Sequence, residues 1–280
     1  MDSTLDIKST VDVGSVFSFT ILQPVINADP LNDFQNIRPH SDWETPYQTA
    51  FTAPAAKILV VDDNQINLNV FRNLLKQNKI QITTASSGQE CLILLEQNTY
   101  DIIFLDHMMP QMDGIETFRN IKNQSLAIDT PVIMLTANAM VGSKEYYLQE
   151  GFRDFLSKPI LPEKLEQLIL TYLPKNFILT NIDSKETLKE KSSPLDSLVE
   201  QLNNTLPEID TNTGLATCSG DITFYLELLK DFIILPVKTE LNNFLSQKDS
   251  ENYCIRIHGF KSNAYYIGAK NLGDLAYQLE

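Results

Sequence analysis

Four apolar runs end abruptly on polar groups, and this punctuation restricts what the chain can fold into. KILVVDD ends on Asp62-Asp63, YDIIFLD on Asp106, PVIMLT on Thr136 and DFLSKP on Lys158-Pro159. Each polar group falls where a buried strand would stop. In an open parallel sheet the strand ends share one edge, and ligands bind at that edge. Three carboxylates, a hydroxyl and an ammonium therefore converge. That set suits one Mg²⁺ and one phosphoryl group.

The pattern around these runs is a strong alternation across residues 56–174. Apolar runs of strand length start near Lys57, Gln81, Asp101, Pro131 and Asp154. Amphipathic stretches lie between them: Ile66, Val70 and Leu74; Leu92 and Leu95; Ile115, Phe118 and Ile121; Leu165, Leu168 and Ile169. Five such β-α units predict an α/β domain with a five-stranded, doubly wound parallel sheet. Ile58 to Val61 and Ile102 to Leu105 are continuous apolar runs, as strands covered on both faces require.

The flanks read differently. Residues 1–26 read as a hairpin: Leu5 and Ile7 alternate with polar residues, Val13-Gly14 supplies a turn, and Phe17, Phe19 and Ile21 alternate again. A lone hairpin is marginal in water, so it is expected to belong to a larger sheet. Residues 27–55, with Pro30, Pro39, Pro46 and Pro54, have linker composition, as does 175–197 (SKETLKEKSSP). After 197 the period turns helical and stays so. Phe224, Leu228 and Phe232 share spacing with Tyr225 and Leu229, while Tyr253, Ile257, Phe260, Ala264 and Ile267 form one stripe. Residues 198–280 are therefore expected to form an all-α helix bundle. The helical pattern reaches Glu280 without a cap or a Gly or Pro stop, which reads as a truncated bundle.

At 280 residues there is room for about two domains. A net charge of -14 excludes the basic footprint of a nucleic-acid binder. No apolar stretch approaches the ~20 residues of a membrane span, and no secretory leader is seen. Cys91, Cys218 and Cys254 lie far apart and read as small apolar fillers in a reducing, cytoplasmic setting.

Phosphoryl transfer asks for charge neutralisation and alignment more than covalent ingenuity. Asp106 is the expected acceptor. Asp63 and Asp106 would ligate Mg²⁺, with Asp62 helping and the Met108 backbone carbonyl as a further ligand; Mg²⁺ prefers such few-carboxylate, water-rich sites. Lys158 and Thr136 would each meet a phosphoryl oxygen. His107 reads as a loop residue setting partner contact, and Pro110 and Gly114 as shaping the turn.

The pieces VVDDNQIN, LDHMMPQMDG, MLTANAM and FLSKPI make residues 56–174 resemble a response-regulator receiver domain, a flavodoxin-like fold, of the kind built into hybrid histidine kinases. The resemblance carries the family's functional positions onto Asp62, Asp63, Asp106, Thr136 and Lys158, and its switch aromatic onto Phe155. It implies that Thr136 moves toward the phosphoryl group while Phe155 turns inward.

A second site is read on the helical stripe. At ~100° per residue, His258 lies about 140° from the stripe's centre and is expected to face water. Lys261 follows one turn on and Ser262 at four residues, on the same outer face. An exposed imidazole with a neighbouring cation suits a phosphorylatable histidine. HGFKSNAYYIGAKNLGDLAYQLE resembles the phosphohistidine helix of histidine phosphotransfer domains, and LPEIDTNTGLATCSGDITFYLELLKDF their entry and first helix. That family usually has glycine at the Ser262 position. Its bundle implies a further helix beyond Glu280, without which the region is expected to be unstable.

LDIKSTVDVGSVFSFTIL resembles the last hairpin of a histidine-kinase ATP-binding domain. The asparagine-bearing helix and glycine-rich lid that hold ATP are not in this chain, so it should not phosphorylate itself from ATP. Together the resemblances imply a phosphorelay segment. An upstream kinase phosphohistidine would donate to Asp106, which would pass the group to His258 and on to a separate response regulator. A phosphatase with an aspartyl nucleophile would want a second aspartate where Met108 stands, and a dinucleotide enzyme a GxGxxG after the first strand. A docking module without phosphorylation is the remaining alternative.

Overall fold

The computed structural model describes residues 5–10, 14–19, 49–137, 143–180 and 194–280. Contacts divide the chain into Met1–Asp42 and Trp43–Glu280. In the first unit, β1 (Leu5–Thr10) and β2 (Gly14–Phe19) pair antiparallel, with Leu5 opposite Phe19 and Thr10 opposite Gly14. Val13, Ile21, His40 and the prolines at 30, 39 and 46 lie outside the described residues.

In the second unit the expected parallel sheet is present. Its strands are β4 (Lys57–Val61), β5 (Gln81–Ala85), β6 (Ile102–Asp106), β7 (Val132–Thr136) and β8 (Asp154–Ser157). The order is β5-β4-β6-β7-β8, every pair parallel. The reversal of strand order between β4 and β6 opens the crevice in which ligands of such sheets bind. β6 and β7 are buried at every position because both faces are covered.

Side chains along β4 alternate between two cores. Leu59 and Val61 join Leu92 and Leu95 of α2 (Gly88–Gln97) and Ile115, Phe118 and Ile121 of α3 (Gly114–Asn123). Ile58 and Val60 join Val70 and Leu74 of α1 (Gln65–Leu74) and Leu165 and Ile169 of α5 (Pro162–Tyr172). The helix starts follow local chemistry. Asn64, Ser87 and Asp113 each accept a hydrogen bond from the first turn of the helix they cap.

The helix between β7 and β8, α4 (Ser143–Glu150), was not marked by an apolar stripe. Tyr147 is buried while Tyr146 and Leu148 are exposed, so Tyr147 is the one buried side chain among those described on this helix.

Two stretches read as linker are corrected where they are described. Phe51, Ala53 and Ala56 are fully buried, and β3 (Phe51–Thr52) pairs antiparallel with β9 (Leu179–Thr180). A buried knot fastens this strap. Glu166 on α5 accepts from Thr49 Oγ1 at 2.6 Å and Asn78 Nδ2 at 2.7 Å. Linker composition was a guide to propensity only; tertiary pairing decided here.

The C-terminal region is helical: α6 (Pro194–Thr205), α7 (Thr211–Thr217), α8 (Ile222–Ile233), α9 (Val237–Gln247), α10 (Ser250–Tyr266) and α11 (Lys270–Leu279). It is not a separate body. Leu215, Tyr225, Leu228, Ala264, Tyr266 and Ile267 belong to the same core cluster as Ile58, Val60 and Leu165. Asn73 of α1 donates to the Cys218 carbonyl at 3.3 Å, and the amide of Ile160 donates to the Tyr266 hydroxyl at 3.3 Å. Among the described residues no helix is long and apolar enough to cross a membrane.

Candidate functional site

Because successive parallel strands run the same way, their C-terminal ends lie along one edge. There, oxygens of Asp62, Asp63 and Asp106 all lie within 4.8 Å of one another. Lys158 follows β8, and its Nζ donates to Asp62 Oδ2 at 2.7 Å and to Asp106 Oδ1 at 2.6 Å. Asp62, Asp106, Thr136 and Lys158 are buried; Asp63 stands exposed at the rim. The fold brings the three carboxylates and the ammonium together at this edge.

Electrostatics follow from this crowding. Burial pushes Asp106 well above the ordinary carboxylate range and the Asp62 charge adds to it, while Lys158 opposes both. Burial disfavours the Lys158 ammonium, but Asp106 and Asp62 more than offset that and hold it charged. Desolvation and the Asp62 charge push Asp63 up to about 6. One ammonium faces three carboxylates, so the cluster retains excess negative charge. An all-oxygen set of this kind fits a hard divalent cation, which Asp62, Asp63 and Asp106 would hold.

Helpers that sequence reasoning missed surround Asp62. The Asn64 amide donates to its Oδ1 at 2.9 Å, and Asn67 Nδ2 to the two carboxylate oxygens at 2.9 and 3.0 Å. Asn67 is buried beside the apolar stripe of α1. Gly114 is required by space, since a Cβ there would lie 2.2 Å from the Asp106 carbonyl oxygen. Its amide donates to the His107 carbonyl at 2.9 Å, closing the loop that carries Met108. Met108 is half-buried in that loop, and Phe155 is a partly buried member of the α2–α3 core.

His258 is where the sequence reading needs correction. It is 5% exposed, Lys261 3% and Ser262 2%, so none of them faces water. The helical wheel tracked only the apolar stripe. The polar face of α10 packs as well, against the first loop of the acidic pocket. Asn64 Nδ2 donates to Asn263 Oδ1 at 2.8 Å and to the Gly259 carbonyl at 3.4 Å. A face buried through polar contacts leaves no hydropathy signal.

The imidazole is gripped on one side. His258 Nδ1 lies 2.6 Å from Glu280 Oε1, and Lys261 also pairs with Glu280. His258 Nε2 is buried and has no hydrogen-bond partner among the described residues. Burial lowers the His258 pKa; Glu280 opposes this, while Lys261 and Lys158 reinforce it. The hydrogen bonds and charges of His258 and Lys261 hold Glu280 down to about 2 against its own desolvation. A neutral imidazole whose Nδ1–H donates to Glu280 presents a bare lone pair at Nε2.

Parts of this chain are similar to known proteins. Residues 58–170 match the model of the response regulator receiver domain. The signal transduction histidine-protein kinase BarA of Escherichia coli (strain K12) is 32% identical over 227 residues, covering 81% of this chain and 24% of that protein. The aerobic respiration control sensor protein ArcB of the same strain is 25% identical over 285 residues, covering 100% of this chain and 33% of its own. A solved receiver domain, that of sensor histidine kinase PA1611 from Pseudomonas aeruginosa PAO1, has a magnesium ion in its active site cleft. It aligns with a TM-score of 0.39 at 32% identity, over 42% of this chain and 96% of that one. The chain spans about a quarter to a third of the length of these two proteins.

Proposed function

We propose that this chain, a receiver domain with a helical region behind it and hybrid sensor histidine kinases among its relatives, is a two-step phosphoryl relay. Two-component signalling is its setting. The steps within it rest on the two sites just described, and above all on the Lys158 ammonium held between Asp62 and Asp106.

In the first step an Asp106 carboxylate oxygen attacks the phosphorus of an upstream phosphohistidine. The new O–P bond forms as the N–P bond breaks, and the imidazole leaves with its electron pair. Lys158 stays charged throughout and meets a phosphoryl oxygen, giving up part of its contact with Asp106. The Thr136 hydroxyl donates to another oxygen. A bound divalent cation would supply the remaining charge neutralisation at the developing phosphoryl oxygens. Asp62 keeps its orientation through Asn64 and Asn67.

In the second step His258 Nε2 attacks the Asp106 acyl phosphate. The N–P bond forms, the O–P bond breaks, and Asp106 regains its carboxylate. Glu280 accepts the Nδ1–H and stabilises the imidazolium character that develops on phosphorylation. Asn64, which joins the acidic loop to α10, supports transfer within one chain. The group then leaves for a separate response regulator.

The test is labelling with acetyl phosphate in Mg²⁺. Asp106→Asn should reduce incorporation at least a hundredfold, while His258→Gln leaves labelling of Asp106 intact and removes only the acid-labile, base-stable label expected of phosphohistidine. Labelling that survives Asp106→Asn sinks the assignment.

A further inference from the structure

One buried hydroxyl beside the acidic pocket has no part in the steps above. Tyr147, on α4, is 4% exposed. Its Oη lies 3.2 Å from Thr136 Oγ1, to which it donates, and 3.2 Å from His107 Nδ1. The ring packs edge-on to His107, with centroids 5.6 Å apart and planes at 82°. It also lies 6.4 Å from the Phe155 ring and 6.1 Å from that of Phe152. Tyr147 therefore touches the hydroxyl expected to meet the phosphoryl group, the residue next to the acceptor, and the aromatic expected to turn.

We infer that Tyr147 is a positioning residue that holds the Thr136 hydroxyl in its unlabelled orientation and releases it when Asp106 takes up a phosphoryl group. The inference rests on the reading of Asp106 as acceptor. A phenol has one proton. When it is given to Thr136, the oxygen of Tyr147 can accept from His107 Nδ1–H. When Thr136 turns to the phosphoryl group, the same proton can turn to His107 Nδ1 in its other tautomer. Either way the buried hydroxyl keeps a partner, so Thr136 can depart without leaving an orphaned polar group behind. At 3.2 Å the contact to Thr136 is long for an O–H···O bond, so it orients without locking. The departure changes what Tyr147 is bonded to, and Tyr147 is the one buried anchor among the described side chains of α4. Rearrangement at the pocket thus reaches α4 and the Phe155 ring through a single side chain.

A contact made in the ground state and lost on reaction slows that reaction. Tyr147→Phe keeps the ring and removes the hydroxyl. It should speed acetyl-phosphate labelling of Asp106 by about three- to tenfold, the size of one neutral hydrogen bond. Thr136→Ala should erase the difference, so Tyr147→Phe and wild type label alike in that background. A second readout is independent of rate: the ¹³C-methyl resonance of Thr136, followed on adding beryllofluoride and Mg²⁺. In Tyr147→Phe it should already lie, before addition, part of the way toward its final position. Unchanged or slower labelling, equal acceleration in the Thr136→Ala background, or an unmoved methyl resonance would each overturn the inference. Asp106→Asn is run alongside. If it labels, the acceptor reading fails; if it is silent while Tyr147→Phe behaves as wild type, only the role of Tyr147 fails. Thermal unfolding of Tyr147→Phe within a few degrees of wild type shows that the fold is retained.

Discussion

Two buried lysines in this molecule face carboxylates, and they are built in different ways. Lys158 follows one strand of a parallel sheet and meets Asp62 and Asp106, which end two others. Three separate stretches of backbone, each hydrogen-bonded to a neighbour, fix that triangle. Lys261 sits on one turn of α10 and meets Glu280 beyond the end of α11, which also holds His258. There a single helix and one side chain make the cluster. The first arrangement has excess negative charge and is suited to accept a cation and an oxyanion. The second is balanced: its carboxylate is held charged by two cationic or hydrogen-bonding neighbours, and it leaves one imidazole nitrogen bare.

The comparison is open to attack at its largest expected effect first. Lys158→Met leaves Asp62 and Asp106 confronting one another without a buried counter-charge. Removing one partner of such a group costs about 3 kcal/mol or more. Urea unfolding at pH 9 should show that loss, and it should shrink at pH 6, where Asp106, pushed up to about 8 even with Lys158 beside it, takes a proton. A loss that is equal at both pH values would mean the carboxylates do not sense one another.

The next effect concerns the cation. Asp63 is held up at about 6, above its ordinary value. An acid raised by folding destabilises the fold as pH climbs from its unfolded value through its folded one, and the penalty is complete above about 6. A divalent cation relieves that penalty. Mg²⁺ at ten times its dissociation constant should stabilise by about 1.4 kcal/mol at pH 7.5. Thermal unfolding should show less at pH 5. An equal shift at both pH values would place the ion elsewhere.

The smallest effect belongs to the second cluster. Glu280 is held down to about 2, so its stabilising contribution is present above its ordinary value near 4.5 and is lost as pH falls toward 2. Glu280→Gln should cost about 1 kcal/mol at pH 6, a modest figure for a partly solvated pair. The gap from wild type should close in acid. No gap at pH 6 would show that the Glu280 side chain does not hold His258.

Much of the acidic pocket was legible before any coordinates. Short continuous apolar runs with abrupt polar endings identify strands, and parallel strands must align their ends, so Asp62, Asp106, Thr136 and Lys158 come to one edge by topology alone. The strap at Phe51 was not legible, because two-residue pairing depends on a partner more than a hundred positions away. Nor was Tyr147, the one buried side chain among those described on its helix.

The amino-acid order by itself determined the five-stranded sheet, the placement of the carboxylates and the lysine at one edge, and the helical character of the last third. Each follows from local periodicity and from a connection rule that leaves little choice. Only the tertiary structure decided that the polar face of α10 is covered, that Asn64 joins it to the acidic loop, and that His258 is buried with Nδ1 held by Glu280. Polar-to-polar burial depends on partners meeting in space, and no periodicity along the chain encodes it.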